Sequence, residues 1–126
     1  MIFSVQAHYP GRAPIDAYGN GGFRFAEMSH RGSILIVPSG IYAWDVVSMD
    51  DVNGDRCELF FRELKPPAFV LLGTGATHAT PEAGLRKAFA DASLGLDPMS
   101  TGAACRTYNV LLAEGRDIGA AMIAVD

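Results

Sequence analysis

Two stretches of the chain carry residue types that could do chemistry. The first is Leu72-Gly73-Thr74-Gly75. Glycines directly after an apolar strand let the backbone approach an anion, and the next helix offers free amide groups. The pattern lacks the third glycine of a dinucleotide loop and the lysine of a phosphate loop. It also reads as a tight strand-to-loop turn. The second stretch is Thr101-Gly102-Ala103-Ala104-Cys105-Arg106-Thr107-Tyr108-Asn109. On a helix, Thr101, Cys105 and Asn109 recur every four residues and Arg106 lies three from Asn109, which forms a polar strip with Ala104, Tyr108 and Leu111 on the packed side. Cys105 falls in the second turn with a cation beside it, surroundings that favour a thiolate. A free cysteine equally behaves as a small buried hydrophobe, and no histidine base is identifiable beyond His78 in the loop after Gly75. Arg106 reads as an anion-binding group or as a structural fork that ties strand-end carbonyls or pairs with Asp97. Tyr108 reads as a core aromatic with a bonded hydroxyl. The candidate ligand-binding set is Gly73, Thr74, Gly75, Thr101, Cys105, Arg106 and Asn109, with no catalytic residue assigned.

Metal and cofactor chemistry find little support. Cys57, Cys105, His8, His30 and His78 show no ligand spacing. Asp51-Val52-Asn53-Gly54-Asp55 fails as a calcium loop because Arg56 stands where the invariant glycine belongs. No cofactor and no metal are expected. Ten Lys and Arg against 14 Asp and Glu give a net charge of −4 with no basic run, which argues against nucleic acid as the main partner. Asp50, Asp51, Asp55, Glu58 and Glu63 read as a solvated negative flank. No apolar stretch reaches the 18 or so residues of a membrane span. Met1 to Gln6 show no basic region followed by an apolar one, so no export or import signal is expected.

The elements that must position these residues fall into two halves of one expected domain, about 1–47 and 55–126. The chain's 126 residues suffice for a core without disulfide staples. The first half is β-like: Phe23 to Phe25 alternate, Ser33 to Val37 form an apolar run, and Ile41 to Trp44 follow the Pro38-Ser39-Gly40 turn. Glycines 19, 21 and 22 precede this small antiparallel meander in a loop. The second half alternates. A short helix is expected within Cys57 to Leu64, ended by Pro66-Pro67. Ala68 to Leu72 reads as a buried strand. Thr80 caps a helix with an apolar stripe of Leu85, Ala88, Phe89 and Ala92, ended by Gly95. A short extended piece covers Leu96 to Met99. Thr101 caps a helix to about Glu114, Gly115 ends it, and Ile118 to Val125 form a last strand. Strand and helix in alternation imply right-handed crossovers and a mainly parallel layer. With Leu96 to Met99 parallel to Ala68 to Leu72, Arg106 would face the cleft beside Gly73 to Gly75.

With these residues in view, the chain resembles a known family. The matching features are Ile15-Asp16-Ala17-Tyr18-Gly19, Gly22-Phe23-Arg24-Phe25, Gly32-Ser33-Ile34-Leu35-Ile36-Val37-Pro38, Leu71-Leu72-Gly73-Thr74-Gly75, and the long run from Met99 to Arg116. Together they resemble the small α/β family of unknown biochemical function that includes the mitochondrial respiratory complex I assembly factor three. The resemblance implies a three-layer α/β fold: a mixed central sheet, helices on one side and an additional small antiparallel β layer. It implies a non-enzymatic accessory or assembly role on a respiratory, complex I-like membrane complex, and hence a protein partner and no established catalytic residue. Without an import sequence, the expected setting is the bacterial cytoplasm, with association to a membrane only through the partner. Alternation leaves Trp44 and Tyr42 open as core residues or as part of a partner-facing patch, and the accessory role implies an exposed apolar or aromatic patch that could include either. The rival reading is a small-molecule or anion binder, or an enzyme, with its site between Gly73–Gly75 and the start of the 101–114 helix. A homodimer through meander edges is a third possibility.

Overall fold

The computed structural model of the protein describes residues 8–126; the reading of residues 1–6 falls outside them. Eight strands and three helices follow in order: β1 Ile15–Gly19, β2 Gly22–Phe25, β3 Met28–Arg31, β4 Ser33–Val37, β5 Gly40–Trp44, α1 Glu58–Arg62, β6 Phe69–Gly73, α2 Ala83–Asp91, β7 Gly95–Met99, α3 Thr101–Ala113 and β8 Ile118–Met122. β1, β2 and β3 form an antiparallel sheet. The others form a mixed sheet in the order β5-β4-β8-β6-β7. In it β7, β6 and β8 are parallel, and β4 turns antiparallel to β8 and to β5. The expected meander therefore divides: only its Phe23–Phe25 piece lies in the separate layer, as part of β2, and β4 and β5 extend the central sheet. The expected loop and turn on either side of it are partly strand, since Gly19 ends β1, Gly22 opens β2 and β3 runs through Ser29 to Arg31.

The central strands are apolar on both faces because both faces are covered. Ile34, Ile36, Leu71, Ile118, Ala120 and Met122 face a core shared with Phe23 and Phe25 of the small sheet and with Ala104, Cys105 and Tyr108 of α3. Leu35, Val37, Val70, Leu72 and Ala121 face the opposite core with Phe60 of α1 and with Leu85 and Phe89 of α2. The three layers, the mixed sheet and the extra β layer are as expected. The placing of the helices on one side needs correction, since α1 and α2 cover one face and α3 shares the other with the small sheet. The reason is topological. The crossover from β6 to β7 steps outward and that from β7 to β8 steps back past β6, so two crossovers of one hand put α2 and α3 on opposite faces.

Four element ends also differ from expectation. α2 ends at Asp91, and Gly95, expected to close it, opens β7. α2 begins at Ala83 with Glu82 at the cap position, and Thr80 lies outside it. α3 is capped by Ser100, whose Oγ accepts from the Ala103 amide, which leaves Thr101 inside the first turn. β8 stops at Met122, short of Val125.

Candidate functional site

β6 and β7 are neighbours whose following segments leave toward opposite faces, an arrangement that opens a crevice at the carboxyl ends of open α/β sheets. Here the chain closes the crevice on itself. The Thr74 amide donates to Met99 O at 2.8 Å and the Thr101 amide donates to Gly75 O at 2.8 Å. Thr101 is fully buried. Its Oγ1 donates to Ile123 O at 2.7 Å and accepts from the Gly75 amide at 3.0 Å, so one hydroxyl ties the ends of β6, α3 and β8 together. Thr74 Oγ1 shares its hydrogen between the carbonyls of Thr77 at 2.7 Å and Met99 at 3.1 Å, and accepts from the Ala79 amide at 3.0 Å.

The glycines of this turn have separate reasons. A Cβ on Gly73 would meet Thr101 Cα and Oγ1, each at 3.1 Å, so glycine lets α3 start against β6. Gly75 has φ +111°, where side chains are strained. The amides that an anion would need at Thr74, Gly75 and Thr101 are thus spent on internal carbonyls and on a hydroxyl.

The strip on α3 also turns inward. Cys105 is buried and its Sγ donates to Met122 Sδ at 3.6 Å. Burial pushes its thiol up to about 12, with Arg106 pulling weakly the other way. A thiol so placed is protonated at neutral pH and is no nucleophile there. Cys57 is likewise pushed up to about 12 by burial. His78 lies exposed in its loop. Tyr108 is fully buried and its hydroxyl donates to Ala13 O at 2.9 Å, with burial raising its pKa. Asn109 holds β1 in the manner of a strand partner: its Oδ1 accepts from the Ile15 amide at 2.8 Å and its Nδ2 donates to Ile15 O at 2.8 Å. The seven candidates therefore do not form one ligand shell. Gly73, Thr74, Gly75 and Thr101 meet in a closed junction, Cys105 faces β8, Asn109 faces β1, and Arg106 alone projects outward.

Arg106 is exposed and lines an open cleft of about 780 Å³ with Thr74, Gly75, Ser100, Tyr18, Val47 and the 123–126 segment. The four ion pairs among the described residues do not include Arg106, so the expected pairing with Asp97 is not found. Tyr18 and Val47 are 42% and 80% exposed, and Val110, one helical turn beyond Arg106, is 57% exposed. Sequence reading missed this rim because Tyr18 and Val47 lie far from α3 in the chain. Trp44, left open between core and a partner-facing patch, is a core residue whose indole donates to Arg56 O at 2.7 Å. Tyr42 is half-buried, its hydroxyl 2.9 Å from Ser39 Oγ.

Fold and site together define a class: a small three-layer α/β protein whose junction residues are structural and whose Arg106 cleft is open. The chain belongs to the family described as a protein of unknown function (DUF498/DUF598), whose profile matches residues 15–123. It is 38% identical over 115 residues to an uncharacterized protein of Rhodobacter capsulatus, covering 91% of this chain and 87% of that one. It is 28% identical over 122 residues to the mouse NADH dehydrogenase [ubiquinone] 1 alpha subcomplex assembly factor 3, covering 97% of this chain and 66% of that protein. Of the human factor the chain spans 59%. Among solved structures it resembles one described as an outer membrane protein from Bartonella henselae, with TM-score 0.83, 48% identity, and 94% and 100% of the two chains covered. It also resembles the Rpa2829 protein of Rhodopseudomonas palustris, with TM-score 0.82, 40% identity, and 97% and 90% covered. Among the described residues no helix is long and apolar enough to cross a membrane.

Proposed function

We propose that this protein is a non-enzymatic accessory factor in the assembly of a respiratory, complex I-like NADH dehydrogenase, and that it docks on a protein partner through the Arg106 cleft. The observation that carries the reading of the surface is the gathering of exposed Tyr18 and Val47 in one cleft with a cation that has no ion-pair partner among the described residues, with exposed Val110 one helical turn further along α3. Tyrosine and arginine are enriched in binding hot spots, and Val47 adds apolar surface beside them. The likeness of nearly the whole chain to the mouse assembly factor supports the partner assignment. The rival of a ligand pocket at Gly73–Gly75 and Thr101 is disfavoured by the internal bonding of those amides. In this proposal the protein works in the bacterial cytoplasm and reaches the membrane only through its partner.

Deletion of the gene in the native organism tests this. Assembled NADH dehydrogenase on native gels should fall, and wild-type protein should restore it. Arg106→Glu with Val47→Asp, both at exposed positions, should stay folded and fail to restore it. Unchanged levels of the complex after deletion would overturn the proposal.

A further inference from the structure

The β1–β3 sheet turns one face to the core and leaves the other open as a second hollow, of about 430 Å³. Strand register decides what this open face carries. Ala17 and Gly19 of β1 stand opposite Arg24 and Gly22 of β2, which in turn stand opposite Ser29 and Arg31 of β3. Side chains alternate along a strand, so these six positions share a face, while Ile15, Phe23 and Phe25 point into the core. Ala17, Gly19 and Gly22 have at most one side-chain carbon and make a low floor. Arg24 and Arg31 rise beside it from diagonal positions on adjacent strands, about 7–8 Å apart at the backbone. Arg24 Nη1 donates to Ser29 Oγ at 3.2 Å, which steers that guanidinium over the sheet.

The charge is as informative as the shape. The protein carries −4 overall, yet this hollow is lined by two guanidiniums and no carboxylate. Neither arginine belongs to any of the four ion pairs among the described residues. Like charges on one open sheet face repel, and an anion bound between them would relieve that repulsion. Guanidinium is the side chain that grips phosphate with two parallel hydrogen bonds and sheds its own water readily.

We propose that the open face of the β1–β3 sheet is a binding site for a phosphate group, held by Arg24 and Arg31 above the floor of Ala17, Gly19 and Gly22. The site adjoins the Arg106 cleft, the two hollows sharing Tyr18, but its arginines are others and it does not depend on the accessory role proposed above. The phosphate belongs either to a small soluble ester or to a phospholipid headgroup.

An NMR titration of the ¹⁵N-labelled protein tests the proposal. The probes are inorganic phosphate, glycerol 3-phosphate and phosphatidylglycerol vesicles, with sodium chloride at matched ionic strength and phosphatidylcholine vesicles as references. The amides of Gly19, Gly22, Arg24 and Arg31 should shift saturably with a phosphate probe and not with the references. Arg24→Ala and Arg31→Ala should each weaken binding about tenfold, the loss of one charge-assisted contact. Arg86→Ala, an exposed cation on α2 across the central sheet, should bind as wild type. Saturation by the soluble phosphates points to a small ester, and a response to phosphatidylglycerol vesicles alone points to a headgroup; either sustains the site. Absence of saturable shifts at these four amides with every phosphate probe would overturn it. Equal weakening by Arg86→Ala would also overturn it, since binding would then follow net charge alone.

Discussion

Thr101→Val distinguishes a structural junction from a ligand site more sharply than any other single change. Valine matches threonine in shape but offers no hydroxyl. It leaves the Ile123 carbonyl and the Gly75 amide without their partner. Ile123 is buried, whereas Gly75 is half-buried and within reach of water. An unpaired buried backbone group costs about 1–3 kcal/mol, so Ile123 contributes about 2 kcal/mol and Gly75 about 1 kcal/mol, for a loss of about 3 kcal/mol. At roughly 4 °C per kcal/mol for a chain of this size, Tm falls by about 12 °C. Thr101→Ser keeps the hydroxyl and deletes one methyl, which costs about 1 kcal/mol. Urea unfolding followed by the fluorescence of Trp44, the protein's one tryptophan, measures both variants. If the valine variant loses no more stability than the serine variant, the junction is not what holds β6, α3 and β8 together, and this account of Thr101 is wrong.

Three further outcomes follow from the same contacts. Asn109→Ala should destabilise the protein by about 2 kcal/mol through two lost bonds to Ile15, and hydrogen exchange should show faster exchange of the Ile15 amide. Both thiols, pushed up to about 12 from 9.0 by burial, should resist a thiol reagent in the folded protein at pH 8 and react on unfolding. Because their folded pKa values lie above the unfolded ones, their stabilisation is full below about pH 9 and is lost as pH rises toward 12; a urea midpoint that fails to drop across that window would contradict the burial. His30 has the opposite sign. Burial foremost, opposed by the Ser33 carbonyl and assisted by nearby His8, lowers its pKa below 6.5. Stability is then full above pH 6.5 and falls as pH drops through the folded value, and His30→Gln should flatten that acid limb of the urea-midpoint profile.

Periodicity and turn chemistry made the second half of the fold legible. Ala68 to Leu72 is apolar throughout and becomes the buried strand β6, and Gly115 follows α3 where expected. Local pattern could not tell that β4 leaves the meander to pair with β8, because that pairing joins residues nearly 90 positions apart and is decided by core packing. Ser100 and Thr101 are adjacent hydroxyls and either could cap α3; the choice fell to Ser100 because Thr101 is recruited by Ile123 and Gly75. Trp44 alternates like a half-exposed residue but is drawn inside by α1 and α2, which no strand pattern encodes. The motif on α3 was legible as a unit, but its direction was not. Helical spacing groups Thr101, Cys105 and Asn109 correctly, yet only the position of the central sheet and β1 turns them inward and leaves Arg106 at the surface.

The most direct test of partner docking through the Arg106 cleft is quantitative crosslinking capture from the native organism, membranes included, with wild-type protein beside the Arg106→Glu, Val47→Asp variant. Wild type should enrich subunits of the NADH dehydrogenase, with crosslinks mapping to Tyr18 and Val47 at the cleft, and the variant should lose them while keeping its circular dichroism spectrum. Capture of those subunits at equal yield by both proteins, or no enrichment of them by wild type, would contradict it.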